Sequence, residues 1–218
     1  MEIQFLGQSC FRIKGKNTIL LTDPFNPEFV GLKFPKVSAD IVTVSHLHKD
    51  HNNTKAVSGT TKMPEAFIIN EPGEYEIGGV SISGYRSFHD NSQGSERGLN
   101  TIFIIDFDGL RLVHLGDLGH KLDEFQLEEI NGSDVLFVPV GEEFTLDVQK
   151  AVEVVNQVAP KIVIPMHYYL PGTKLKMSPV DDFLKEMGAT EIHPMDKLVL
   201  TKDKLPEERE VVVLNVRS

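Results

Sequence analysis

The sequence predicts an α/β fold with sheets inside and helices outside, on three observations. Short apolar runs of strand length, divided by glycine-bearing turns, occupy both halves of the 218 residues. Three stretches with apolar residues at helical spacing lie among the later runs. No linker-like segment rich in Pro, Gly or Ser interrupts them, so one domain over residues 1–218 is expected.

The elements follow in order. Residues 1–6, 9–14 and 18–22 read as strands separated at Gly7 and Gly15, the hairpin-like opening of a sheet. Residues 24–40 combine Pro and Gly with Phe25, Phe29, Leu32 and Phe34. A segment of that length without regular structure is usually functional or disordered. Its aromatic residues fit two readings equally, a packed flap or a satellite core beneath a surface loop. Ile41-Val42-Thr43-Val44-Ser45 is apolar without alternation, as in a strand covered on both faces. Further strands are expected at 66–70, 80–88, 101–107, 110–115, 135–140, 162–165 and 211–216.

Leu122, Phe125 and Ile130 outline a first helix. Thr145 is the candidate cap of a second, with Val148, Ala151, Val152 and Val155 on one face and Pro160 ending it. Ser178-Pro179 opens a third, whose apolar stripe is Val180, Phe183, Leu184 and Met187 and whose stop is Gly188. The polar loop 90–99 is expected at a rim.

Composition narrows the function classes. The chain is 40% hydrophobic and 25% charged, ordinary for a soluble protein, with a net charge of −10. Charge of that sign repels phosphate backbones and anionic membrane faces, so neither nucleic acid nor a membrane surface is an expected partner. No run approaches the eighteen or so apolar residues of a membrane span, and the first residues lack the pattern of a signal peptide. Cys10 is the single cysteine, so no intrachain disulfide can form. A cytoplasmic location and a small-molecule substrate are the expectations; self-association into a homo-oligomer is left open.

The chemistry concentrates in His46-Leu47-His48-Lys49-Asp50-His51, four metal-ligand residue types in six positions directly after an apolar strand. In an extended segment His46 and His48 would share one face at roughly 6–7 Å, a spacing suited to gripping one ion. Asp50 and His51 lie beyond a turn and can address a second ion. Zinc-type ions want about four ligands, or three plus water when catalytic, so two ions need donors from elsewhere. His89, Asp117 and His167 each follow an expected strand, where a rigid scaffold holds a side chain open to solvent.

His46-x-His48-x-Asp50-His51, then His89, Asp117 and His167 in that order, with Asp23 in Leu21-Thr22-Asp23-Pro24, resembles the metallo-β-lactamase-fold hydrolase superfamily. Within it, the stretches His89-Asp90, Arg97-Gly98-x-Asn100-Thr101 and His114-Leu115-Gly116-Asp117-Leu118-Gly119-His120 are similar to a branch of small metal-dependent hydrolases near the ascorbate-6-phosphate lactonase group. More distantly they resemble the phospholipase D that cleaves N-acyl phosphatidylethanolamines. The resemblance implies a four-layer αβ/βα sandwich of two mixed sheets flanked by helices, with the site along one edge. It implies His46, His48 and His89 on a first divalent ion, Asp50, His51 and His167 on a second, and Asp117 bridging them. Zinc is the leading choice of metal, with manganese or iron as alternatives. The β-lactamases of this fold commonly carry Cys where Asp117 stands, which makes antibiotic hydrolysis the weaker carry-over.

The implied reaction is hydrolysis of a small lactone or phosphoester by a hydroxide shared between two ions roughly 3.5–4 Å apart, with Asp50 and Asp117 as the catalytic carboxylates. No Ser or Cys nucleophile is then required. Asp23 is expected to hydrogen-bond a ligating histidine and fix its tautomer. His114 and His120 are candidates for protonating a leaving group, against an equal expectation that they make structural hydrogen bonds. Arg97 and Tyr168 are candidate substrate-binding residues. His193 is given no role. The alternatives are a phosphodiesterase acting on lipid-like or nucleotide substrates and a non-catalytic metal-binding ligand sensor.

Overall fold

The computed structural model describes residues 1–143 and 145–217. The chain opens with β1 (Glu2–Gly7), β2 (Cys10–Lys14) and β3 (Ile19–Thr22), followed by the one-turn helix α1 (Pro27–Val30). Next come β4 (Val37–Ser38), β5 (Ile41–Thr43), β6 (Val57–Ser58) and β7 (Phe67–Ile69). The long meander β8 (Gly73–Ile77), β9 (Val80–Phe88), β10 (Leu99–Phe107) and β11 (Leu110–His114) precedes α2 (Glu124–Ile130). The remainder alternates as β12 (Val135–Pro139), α3 (Val148–Val158), β13 (Ile162–Met166), α4 (Val180–Glu186), β14 (Leu198–Val199) and β15 (Glu210–Val211).

Two mixed sheets form the centre. The first has six strands in the order β14-β1-β2-β3-β5-β7 and the second has seven in the order β15-β13-β12-β11-β10-β9-β8. Period-2 alternation assigns the two faces of the first sheet. Ile3, Phe5, Phe11, Ile13, Leu20 and Ile41 pack toward the second sheet, whereas Leu6, Cys10, Leu21 and Val42 join a separate cluster on the other side. Phe11 is the hinge pin between the layers, its ring 4.9 Å from Phe5 in one sheet and 4.4 Å from Phe137 in the other. On the outside of the second sheet α2, α3 and α4 pack together, with α3 against β12.

The layer over the first sheet is built differently. Phe25 is fully buried with Leu6, Leu21, Val30 and Val44, and Phe34 meets it edge-on at 5.0 Å. Residues 24–40 are therefore the roof of a satellite core. Asn26 caps α1 through its side chain, and its backbone N–H donates to Lys49 O. The roof is thus tied to the histidine-rich segment, and the 42%-exposed ring of Phe29 is left at its edge.

Several expected boundaries shift for local reasons. The cap of α3 is Asp147, whose carboxylate accepts from Lys150 N, rather than Thr145. Ser178 does not cap α4; its hydroxyl donates to Glu142, and Pro179 occupies the cap position without a side-chain bond. β8 escapes the sequence pattern because Gly-Glu-Tyr-Glu-Ile is an edge strand with an exposed face, pairing only with β9. Cys10 is buried, and burial raises its thiol well above the usual range, as expected for a packing residue. Among the described residues no helix is long and apolar enough to cross a membrane.

Phe11→Ala removes the ring that joins the two sheets. It is expected to destabilise the fold by about 3–5 kcal/mol, read as a lowered midpoint of urea unfolding.

Candidate metal centre

Strand direction gathers the donors. β3, β5 and β7 run parallel in the first sheet, and β11, β12 and β13 run parallel in the second. Asp23 follows β3, the histidine-rich segment follows β5, His89 follows β9, Asp117 follows β11 and His167 follows β13. All lie at one edge of the sandwich, where exposed strand ends leave side chains free to converge.

The donors form two groups, His46, His48 and His89 in one and Asp50, His51, Asp117 and His167 in the other. In each group the candidate ligand atoms lie within 4.8 Å of one another. The chain turns immediately after β5, so the His46 and His48 ring centres are 4.6 Å apart instead of at the wider spacing of an extended segment. Asp117 Oδ2 joins the groups. It lies 3.2 Å from Nε2 of His51, His89 and His167, and 3.8 Å from Nε2 of His46. Asp50 Oδ2 stands 3.4 Å from His51 Nε2 and 3.7 Å from His167 Nε2.

Hydrogen bonds behind the rings fix which nitrogen faces inward. Asp23 is fully buried; its Oδ1 accepts from Ser45 N at 2.7 Å, and its Oδ2 accepts from Ser45 Oγ at 2.6 Å and from His51 Nδ1 at 2.9 Å. Having donated to Asp23, the Ser45 hydroxyl can only accept from His46 Nδ1, 3.0 Å away. Both rings therefore carry a proton on Nδ1, which leaves Nε2 as the atom turned toward Asp117. A nitrogen lone pair facing a carboxylate oxygen at 3.2 Å is repulsive unless a cation or a proton lies between them. Nε2 of His46, His51 and His167 and Oδ1 of Asp117 are buried without a hydrogen-bond partner among the described residues. Unpaired acceptors of nitrogen and oxygen type, converging in two sets, fit divalent metal ions.

The electrostatics agree. Burial, and then the neighbouring His51, hold His46 well below the usual imidazole range, and burial likewise lowers His48. Burial also opposes charge on His51 and His167, but the carboxylates outweigh it; His51 is raised well above its usual value and His167 is pushed up to about 9. Asp117 is held well below the usual carboxylate range, since its histidine neighbours overcome its burial. The second group thus attracts positive charge into the protein interior.

Ser45, Gln8 and Asn100 have supporting roles that the sequence did not assign, although Asn100 lies in the Arg97-Gly98-x-Asn100-Thr101 stretch. Gln8 turns inward from the β1–β2 hairpin, donating from Nε2 to Asp50 Oδ2 at 3.1 Å and accepting from His167 N at its carbonyl. Asn100 Oδ1 accepts from Asp117 N at 3.0 Å, while its amide nitrogen donates to Ser87 and to Leu115 O. Gly116 makes that approach possible: its φ is +57°, and a Cβ there would lie 2.2 Å from Asn100 Oδ1. Asp90 accepts four backbone N–H groups from Ser92, Gly94, Glu96 and Arg97, which folds the rim loop and lowers its carboxyl to about 2 against the cost of burial.

Three expected roles are corrected. His114 is fully buried; its Nε2 donates to Ser9 O at 3.0 Å and its Nδ1 accepts from Gly116 N. Both ring nitrogens are occupied and burial lowers its pKa, so it cannot protonate a leaving group. His120 is similarly engaged, Nδ1 with Lys121 O and Nε2 with Phe88 N. Tyr168 is buried in the core with its ring 6.0 Å from Phe5, so it packs rather than lines the cleft. Arg97 does reach the cleft, a 520 Å³ depression over Asp50, His89, Asp117 and His167 with Phe29, Leu47 and Leu175 at its apolar lip.

The chain and its fold have known relatives. Residues 2–167 match a β-lactamase superfamily domain. A UPF0173 metal-dependent hydrolase of Carboxydothermus hydrogenoformans is 33% identical over 192 residues, covering 77% of this chain and 84% of its own. Another from Archaeoglobus fulgidus is 29% identical over 194 residues, covering 77% and 83%. A crystal structure from Thermotoga maritima, assigned as a zinc-dependent hydrolase of the metallo-β-lactamase superfamily, is 37% identical. It superposes with a TM-score of 0.78 over 98% of this chain and 97% of that one.

Ser45→Ala cuts the relay from Asp23 to His46 while leaving the direct Asp23–His51 bond. It is expected to weaken metal binding by about 10–100-fold in competition with a chelator, with the fold retained by circular dichroism.

Proposed function

This chain belongs to the metallo-β-lactamase superfamily of metal-dependent hydrolases, and on that premise we propose that its strand-end cleft holds two divalent ions and hydrolyses a small lactone or phosphoester. The observation that carries the proposal is the position of Asp117 Oδ2, within 3.8 Å of histidine nitrogens from both donor groups. His46, His48 and His89 would hold one ion and Asp50, His51 and His167 the other, with Asp117 shared between them. Zinc is the first choice, and manganese or iron would accept the same donors. Bound there, the ions would lower the pKa of water and polarise the carbonyl or phosphoryl oxygen of a substrate.

The chain's own residues supply orientation. Asp23 keeps a proton on His51 Nδ1 and, through Ser45, on His46 Nδ1, so that Nε2 of each ring remains a donor to metal. Gln8 steadies Asp50 and Asn100 steadies the Asp117 backbone. Phe29, Leu47 and Leu175 offer apolar surface that excludes water from one side of a bound molecule, while Arg97 offers a guanidinium to a phosphate or carboxylate. With His114 and His120 both hydrogen-bonded to backbone, the proton for a leaving group comes from solvent at the open mouth. The apolar lip, with Leu47 68% exposed, favours a second reading in which the substrate is a lipid-like phosphodiester.

Metal analysis of the purified protein combined with turnover of bis-p-nitrophenyl phosphate and a model lactone tests the proposal. Two ions per chain are expected, with turnover lost in His48→Ala. A fully active chain carrying one ion would refute the dinuclear reading, and two ions without turnover of either substrate class would refute the chemistry. Arg97→Ala is expected to raise KM by about tenfold with kcat little changed, since it contacts substrate away from the reacting bond.

A further inference from the structure

A second cavity, 780 Å³ in volume, opens on the outer face of the six-stranded sheet, away from the metal centre. Its floor is the β1–β2 hairpin, where Gln4 faces Arg12 and Glu2 faces Lys14 across the strands. Residues 33–38 form one wall. The C-terminal segment closes an end with Arg217, whose backbone N–H donates to Phe5 O.

The charges around this cavity are segregated. Among the described residues, Arg12, Lys14, Lys33, Lys36 and Arg217 line it against a single carboxylate, Glu2, in a chain whose net charge is −10. Glu2 is already engaged by Lys197, 2.7 Å away. Arg217 donates to the neutral amide oxygen of Gln4. Arg12 is half-buried and, among the described residues, makes no side-chain hydrogen bond or ion pair. Burial and then the nearby Arg217 disfavour the charge on Arg12, and Glu2 offsets only part of this, so two guanidiniums are held together at a cost that an anion would relieve. Guanidinium forks match phosphate oxygens. The volume lies within the range of small-molecule sites, well above what a lone phosphate fills. Phe34, whose ring closes the satellite core, gives an organic moiety an apolar surface.

We propose that this cavity binds a small phosphorylated molecule carrying at least two negative charges, with Arg12 and Arg217 on its phosphates and Phe34 against its organic part. The site is separate from the metal cleft and does not depend on which ester that cleft hydrolyses.

Calorimetric titration of the metal-loaded protein with inorganic pyrophosphate tests it, run beside Arg12→Glu/Arg217→Glu and the milder Arg12→Gln/Arg217→Gln. Binding is expected in the native chain and weaker by about ten- to a hundredfold for each arginine replaced, with thermal midpoints of the Gln variant near that of the native protein. Because pyrophosphate is also drawn to metal ions, His48→Ala is titrated in parallel and is expected to keep the binding event. A signal undiminished in both arginine variants, or one that vanishes in His48→Ala, would place the anion at the metal centre and overturn the proposal. Absence of any binding by the native protein would overturn it equally.

Discussion

The structure depends on one buried carboxylate. Asp117 sits at the meeting point of two sheets with four imidazole nitrogens around a single oxygen. Two of those nitrogens are turned inward by the Asp23–Ser45 relay. Such a cluster is stable only if positive charge enters it, as protons in the metal-free chain or as cations in the loaded one. The requirement for metal therefore comes from the hydrogen-bond pattern behind the ligands as much as from the ligands themselves.

The same edge holds the sheets together. Ser45 O accepts from Thr101 N, Gln8 O accepts from His167 N, and Ser9 O accepts from His114 Nε2; each bond crosses from one sheet to the other beside the centre. Three non-glycine residues in this zone, Gln8, Asp23 and His167, have positive φ. That conformation costs of order 1–3 kcal/mol per residue, and the cross-sheet bonds offset it. His114 gains its meaning here, as a stitch that fixes the hairpin carrying Gln8 beneath Asp50.

Charge is distributed unevenly over the molecule. An acidic chain concentrates cations in two concave places, the rim at Arg97 and the outer cavity at Arg12 and Arg217. General repulsion of polyanions by a net charge of −10 is compatible with recognition of small anions at such points, since screening limits the overall field to about 8–10 Å while contacts within a cavity are direct. A small charged substrate, or a small charged ligand elsewhere, suits that pattern better than a phosphate backbone does.

The longer strands and the stripe of α3 were legible in the sequence because they rest on local rules, whereas β8 was not, the strand expected at 211–216 shrinks to Glu210–Val211, and in the first expected helix stripe Leu122 precedes α2 and Phe125 is exposed. Apolar runs mark buried strands, and a donor directly after such a run lands at a sheet edge, as His89, Asp117 and His167 do. The roles of His114, His120 and Tyr168 were not legible, because a side chain next to Asp117 or His167 in sequence can point to the core or the cleft, and only the opposing sheet decides. The roles of Ser45, Gln8 and Asn100 were not legible either, because they act through Asp23, Asp50 and Asp117, which lie 22, 42 and 17 positions away. Residues 24–40 had the composition of either a flap or a roof, and the packing of Phe25, Val30 and Phe34 with Leu6 and Leu21 made them a roof. Local chemistry determined which residues bring donors to the edge of the sandwich, and long-range packing determined their protonation, their distances and the shape of the cleft.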